Sequence, residues 1–212
     1  MDSTRPPDDI VLPDSPLCVA SRAYAERVSP PFLFNHVMRT YAFAATVGGR
    51  GPTYDAEVLY IGCILHDLGL CETVPTNERF EVDGADAAQE FLTRQGMPER
   101  QVELVWDAIA LHTTAVIPQR KQPEIALVQL GAALDVGVVP LEMLSPGALE
   151  QILDRWPRLG FKQALMELLK QRLLDDPRAA TSHVIADVGC RHVAGFETPN
   201  FCDTVAHSKF AE

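Results

Sequence analysis

Along most of this chain apolar residues recur every three or four positions, and no stretch sustains a strict apolar–polar alternation. The first pattern predicts helices that each bury one face, and the lack of the second argues against strands. A short helix is expected over residues 17–28. A stronger one lies in "SPPFLFNHVMRTYAFAATVGG", with Ser29 as cap, two prolines suited to a first turn and Gly48–Gly49 as its end. "TYDAEVLYIGCILHDLG" is the next, with Thr53 as cap and Gly69 as stop. "DGADAAQEFLTRQG" follows, capped by Asp83 and closed by Gly96, and then "MPERQVELVWDAIALHTT", with Pro98 near its first turn. "KQPEIALVQLGAALDVGVV" opens at Pro123. "SPGALEQILDRW", "LGFKQALMELLKQRLLDD" and "DPRAATSHVIADVGCRHVAGF" supply three more. The expected fold class is all-α.

The four prolines Pro6, Pro7, Pro13 and Pro16 mark residues 1–16 as an extended, flexible lead-in. Residues 17–212 are expected to form a single domain, long enough to bury a core without disulfide or metal staples.

Charge narrows the function classes. With 18 basic and 29 acidic residues the net charge is −11, and there is no Lys/Arg-rich run. Such a chain has no long-range attraction for nucleic acid or an anionic membrane, so neither is expected as a partner. The five cysteines match no CxxC pair or disulfide ladder, which fits a reducing, cytoplasmic setting. The N-terminal residues have neither a signal-peptide nor a transit-peptide pattern. No apolar run approaches the ~18 residues a membrane span needs.

The ionisable residues then stand out by their surroundings. His36 lies among Phe32, Leu33, Val37 and Tyr41. His66 and Asp67 end the apolar run "CIL". His112 follows "WDAIAL", and Asp135 sits inside "LGAALDVGVV". A carboxylate in such a run is costly unless it is paired or ligates a metal. Asp135 could pair with an arginine such as Arg39, and Asp67 could cap the next turn. A single divalent cation accounts for all of these positions at once, since it offsets the carboxylates and bonds neutral imidazole. Neighbours on a helix point about 100° apart, so His66 and Asp67 can share one ion only if the helix frays there. Gly69 gives that freedom.

The order of these residues resembles the H…HD…D pattern of the HD-domain superfamily of metal-dependent hydrolases. It is met by His36 in "FNHVMRTYAFA", His66 and Asp67 in "CILHDLGL", and Asp135 in "AALDVG". The resemblance covers roughly residues 29–140, the motif core, with C-terminal helices over 145–212. It implies an HD-domain helical bundle and one divalent metal ion held by His36, His66, Asp67 and Asp135. Zn²⁺ is preferred, and Fe²⁺, Mn²⁺ or Ni²⁺ also suit this donor set. Asn35 before the first ligand, the connector "RFEVDGADAAQEFL" and "VWDAIALHTT" are similar to the cyanamide hydratase branch.

That likeness implies a small-molecule substrate attacked by metal-activated water. An HD-type phosphohydrolase acting on a nucleotide or phosphate monoester is the alternative, and a non-catalytic metal-containing binding module a third. His112 is the candidate acid/base or substrate-orienting group, Asn35 a candidate orienting amide, and Asp67 serves both ligation and catalysis. His112 is the only histidine between the doublet and Asp135, whereas two-metal members carry more, so one metal is expected. Arg79, Glu81, Thr113 and Thr114 are candidates for the pocket mouth, and Phe32, Phe34 or Trp106 for an apolar pocket wall. His183, His192 and His207 are expected to be surface or structural. The apolar face of "FKQALMELLKQRLL" must pack within the chain or across a homodimer.

Overall fold

The computed structural model describes residues 10–49, 51–177, 184–198 and 200–207. Among them are ten α-helices and no strand, so the chain is all-α. They are α1 (Pro16–Val28), α2 (Pro31–Gly48), α3 (Ala56–Leu65), α4 (Phe80–Arg94), α5 (Glu99–Ala110), α6 (Pro123–Val136), α7 (Pro146–Arg155), α8 (Phe161–Asp175), α9 (Val184–His192) and α10 (Phe201–Ala206). No helix is long and apolar enough to cross a membrane among the described residues.

Proline opens α1, α2, α6 and α7, where its missing N–H would have no helical partner anyway. Pro16 therefore starts a helix instead of extending the lead-in. Residues 1–9 lie outside the described ones. Residues 10–14 lack regular structure but are held: Tyr41 donates to the Val11 carbonyl at 3.0 Å and Arg155 to the Ile10 carbonyl at 3.1 Å. The caps differ from expectation in three places. Ser29 is the C-cap of α1, and Pro30 precedes α2. Asp55 replaces Thr53 as N-cap of α3, because its carboxylate reaches the N–H groups of Glu57 and Val58. Asp83 lies one turn inside α4. It accepts from the backbone of Asn77 and Glu78 and pairs with Arg172 of α8 at 3.0 Å.

Every residue of α3 from Val58 to Leu65 is buried, so this helix is apolar all round and forms the axis of the core. Helices α1, α2, α5 and α6 pack around it. A second apolar cluster joins Leu169 and Leu173 of α8 and Ile185 and Val188 of α9 to Leu33, Leu70 and Phe80. The apolar face of "FKQALMELLKQRLL" is thus covered within the chain at these positions. α10 was not anticipated, and His183 falls outside the described residues.

Two glycines act through close approach. A Cβ on Gly131 of α6 would stand 2.3 Å from the Thr40 carbonyl oxygen of α2. A Cβ on Gly69 would stand 1.8 Å from the carbonyl oxygen of Phe80, so Gly69 lets the turn after α3 lie against the start of α4. Gly131→Ala is expected to force α6 off α2 and to cost about 1–3 kcal/mol, the usual range for overpacking a core. Thermal unfolding checks this: a melting temperature equal to that of the unaltered chain would contradict the tight crossing.

Candidate metal centre

Helix α3 ends where the His-Asp doublet begins. His66 is its last αR residue (φ −63°, ψ −28°), and Asp67 leaves the helix at φ −104°, ψ 18° before a 3-10 turn over Leu68–Leu70. This break turns two neighbouring side chains, which a continuous helix would point apart, toward one point. His36 reaches the same point from α2. Its Nε2 lies 3.2 Å from His66 Nε2 and 3.3 Å from Asp67 Oδ2, and His66 Nε2 lies 3.4 Å from the same oxygen. His112, in the turn after α5, faces the other oxygen, with Nε2 3.6 Å from Asp67 Oδ1. All four residues are buried.

The rear nitrogens fix what the front nitrogens can offer. His66 Nδ1 lies 2.7 Å from the Cys63 carbonyl, and His112 Nδ1 lies 2.7 Å from the Ile109 carbonyl. A carbonyl only accepts, so each Nδ1 carries the proton. His36 Nδ1 lies 2.6 Å from Asp135 Oδ2 and donates to it. A neutral imidazole protonated at Nδ1 presents a bare lone pair at Nε2. When the three rings are neutral, three such lone pairs and the Asp67 carboxylate converge on one point, and a proton or a cation placed there reconciles them. Acceptors face one another in this way around a cation, and a rear N–H held by a carbonyl or carboxylate is the usual setting of a metal-ligating histidine. His36, His66 and Asp67 have donor atoms all within 4.8 Å of one another. The residues present fit a divalent metal ion.

Asp135 is not brought into this group. It stands behind His36, and both its oxygens are engaged. Oδ2 accepts from His36 and from Arg39 Nη2 at 2.7 Å; Oδ1 accepts from Arg39 Nε at 2.8 Å and Arg158 Nη1 at 2.9 Å. An ionised carboxylate offers about four lone-pair sites, and here each has its donor. The pairing with Arg39 anticipated for a lone Asp135 is present, and it occurs together with the contact to His36. Asn35 likewise points elsewhere than expected: its amide donates to the Pro157 carbonyl at 2.8 Å.

Burial sets the electrostatics, and charge then corrects it. Desolvation pushes the His66 pKa down to about 3, with His112 and His36 adding to the fall and Asp67 opposing it. Burial alone would raise Asp67, but the three histidines outweigh it and hold its carboxyl well below the usual range. Asp135 is held low in the same manner, by Arg39 and His36 against burial. For His36, burial favours the neutral form, yet its bonds to Asp135 and Asp67 prevail and its pKa is raised.

The four residues sit at the head of a pocket of about 340 Å³. Its walls are mostly apolar, with Leu70 and Phe80 on one side, Val136 and Val138 on another, and Leu165, Met166 and Leu169 of α8 closing it. No Lys or Arg lines it among the described residues. Thr113 does, and it also hydrogen-bonds Glu81, which pairs with Arg79 at 3.2 Å. The expected wall residues lie elsewhere: Trp106 donates to Asp86 at 2.8 Å, and Phe32 packs beside Phe161.

The contribution of "WPRLGF", residues 156–161, had no sequence signal beyond one arginine inside an apolar hexapeptide. Phe161 stacks on the His36 ring at 4.7 Å between centroids, and Arg158 holds Asp135 from 23 residues further along the chain.

Compared with known families, residues 33–154 match the HD domain, more than half of the chain. No curated protein matches.

Two outcomes are expected from the buried charges. His66 has a folded pKa near 3 and an unfolded one near 6.5. Between those values the unfolded chain binds more protons, so this residue's contribution to stability is present above pH 6.5 and is lost as the pH falls toward 3. In chelator, unfolding midpoints should drop from pH 7 to pH 4.5, and less steeply for His66→Gln; equal slopes would exclude His66 as the titrating group. Asp135→Ala leaves Arg39, fully buried, without its carboxylate. A loss of about 3–5 kcal/mol is expected in urea unfolding, the range for breaking a buried pair from one side.

Proposed function

Because the chain belongs to the HD-domain family, whose members are in general metal-dependent hydrolases, we propose that it is a hydrolase or hydro-lyase that adds water to a small uncharged substrate, as cyanamide hydratases do. The observation that carries this reading is the convergence of the His36, His66 and Asp67 donor atoms at the head of a mostly apolar pocket that no Lys or Arg lines among the described residues. His36 and His66 would hold the ion through Nε2 and Asp67 through its carboxylate. When bound, a divalent cation supplies Lewis acidity and a nucleophile generated from water near neutral pH. Zn²⁺ is the preferred ion, with Fe²⁺, Mn²⁺ and Ni²⁺ compatible with the same donors.

The residues of the chain do the remainder. Asp135 keeps the His36 proton on Nδ1, so that Nε2 stays free to bond. His112 lines the pocket, and its Nε2 faces Asp67 from outside the group in mutual contact. We assign it the transfer of a proton to or from the substrate. The apolar walls favour a small neutral molecule, such as a nitrile-type carbon centre, over a phosphate. Phosphate recognition calls on charge-assisted hydrogen bonds. Of the basic residues around the motif, Arg39 pairs with Asp135, Arg79 with Glu81, Arg94 with Glu90 and Lys121 with Asp107.

The test is metal content and turnover on one sample. One equivalent of divalent metal with conversion of cyanamide to urea is the expected result. Metal without that turnover, but with release of phosphate from nucleotides, would replace this reading by the phosphohydrolase one. Metal with no turnover on either class would point to a binding module. Asp67→Ala should lose the metal while keeping the helical circular dichroism spectrum. Full occupancy in that variant would show Asp67 to be no ligand.

A further inference from the structure

The segment Trp156–Phe161 runs from the end of α7 into the start of α8 and does not line the pocket at the centre, yet four of its residues are in contact with the back of the centre. Arg158 donates through Nη1 to Asp135 Oδ1 at 2.9 Å and through both terminal nitrogens to the Asp135 carbonyl at 3.2 Å. The carbonyls of Trp156 and Pro157 accept from Arg39 Nη1 at 3.1 and 3.3 Å. Pro157 also accepts from Asn35, the residue before His36. Phe161 stacks on His36, with the Arg158 guanidinium 4.8 Å from the Phe161 ring centre and that of Arg39 5.3 Å from it. The turn itself is held in an unfavourable shape. Leu159 has φ 50° and Gly160 φ 74°, two successive left-handed residues of which the first pays a steric penalty for its side chain. A turn of this kind persists when its surroundings over-determine it.

We propose that this connector is a clamp that sets the metal affinity of the centre from behind, with Arg158 as the positioning residue that acts through Asp135 on His36. The inference rests on the metal reading above. The chain of contacts is short. Arg39 grips both Asp135 oxygens along one edge, and Arg158 adds a second side to the hold by bonding Oδ1 and the Asp135 backbone carbonyl together, which pins the side chain to its own helix end. Asp135 Oδ2 then has one direction in which to accept the His36 proton. Phe161 fixes the tilt of the same ring. Without Arg158 the carboxylate is held on one edge only, the ring gains freedom, and the Nε2 lone pair no longer meets the other donors at a set angle. A partner of this kind, one step removed from the ion, changes metal affinity by roughly 10–100-fold when lost.

The experiment is a Co²⁺ titration of the full chain followed by visible absorption, with the melting temperature of the metal-free protein measured alongside. Arg158→Met keeps the aliphatic stem on Phe161 and removes the bonds to Asp135. Expected is a Kd for Co²⁺ about 10–100-fold weaker together with an altered visible band, the band reporting ligand geometry that a merely structural tether would not move. A Kd within about twofold of wild type and an unchanged band overturn the clamp, whatever the melting temperature does. A wild-type chain that takes up no Co²⁺ overturns the metal reading, and the clamp with it. Should R158M lose its cooperative melting transition, Asn35→Ala takes its place, since it removes only the bond to Pro157. A several-fold weaker Kd is then expected, and an unchanged one overturns the proposal.

Discussion

A carboxylate at the middle of a helical bundle must find donors, and most of the described architecture around the centre follows from how Asp135 finds its own. Arg39 meets it edge-on from the neighbouring helix, Arg158 from the connector, and His36 from the side of the site. Asp135, Arg39 and His36 are buried and would each be costly to bury alone. Together they satisfy one another, and in doing so they fix the spacing of α2 and α6 and the approach of α8. The absence of a side chain at Gly131 lets the two helices come close enough for this. The same network keeps a proton on the rear nitrogen of His36 and turns its Nε2 to the front.

The second constraint is the end of α3. A helix that continued through His66 and Asp67 would spread their side chains to different faces. Its termination at His66, and the turn over Leu68–Leu70 laid against the start of α4, bring both onto one point. The apolar character of the whole of α3 places that point deep in the molecule. Burial then removes water, makes each unpaired acceptor more expensive, and gives a cation there more to offset. The fold thereby concentrates four acceptors that only a positive charge, a proton or a metal ion, can reconcile.

The family membership and this geometry agree on metal-dependent hydrolysis in general. The pocket adds a bias of its own. Its walls come partly from α8, outside the matched residues, so the pocket's shape is set in part by a stretch of chain that the family pattern does not describe. The connector leading into α8 is also the segment that touches His36 and Asp135 from behind. The pocket wall and the segment behind Asp135 are therefore consecutive stretches of one chain.

Much of this was legible in the residues. Three-to-four-residue periodicity, prolines and glycines were enough for the helices, because helix formation is governed by local spacing and local caps. Where the caps were misjudged, at Ser29, Thr53 and Asp83, several polar residues stood close together and only the packed backbone decided which one served. His36, His66 and Asp67 were visible as polar residues in apolar runs, since a buried polar group advertises a need for partners. What the sequence could not settle is which partner each one takes. Whether Asp135 faces the common point or stands behind His36 depends on Arg39 and Arg158, on Asn35 turning toward Pro157, and on Phe161 lying over the His36 ring. Those contacts join positions about 100 residues apart or more, or meet through a left-handed turn that no periodicity signals. Local chemistry determined the elements and named the charged residues; the direction in which each charge points was decided only when the helices packed, because donors and acceptors are matched in space and not along the chain.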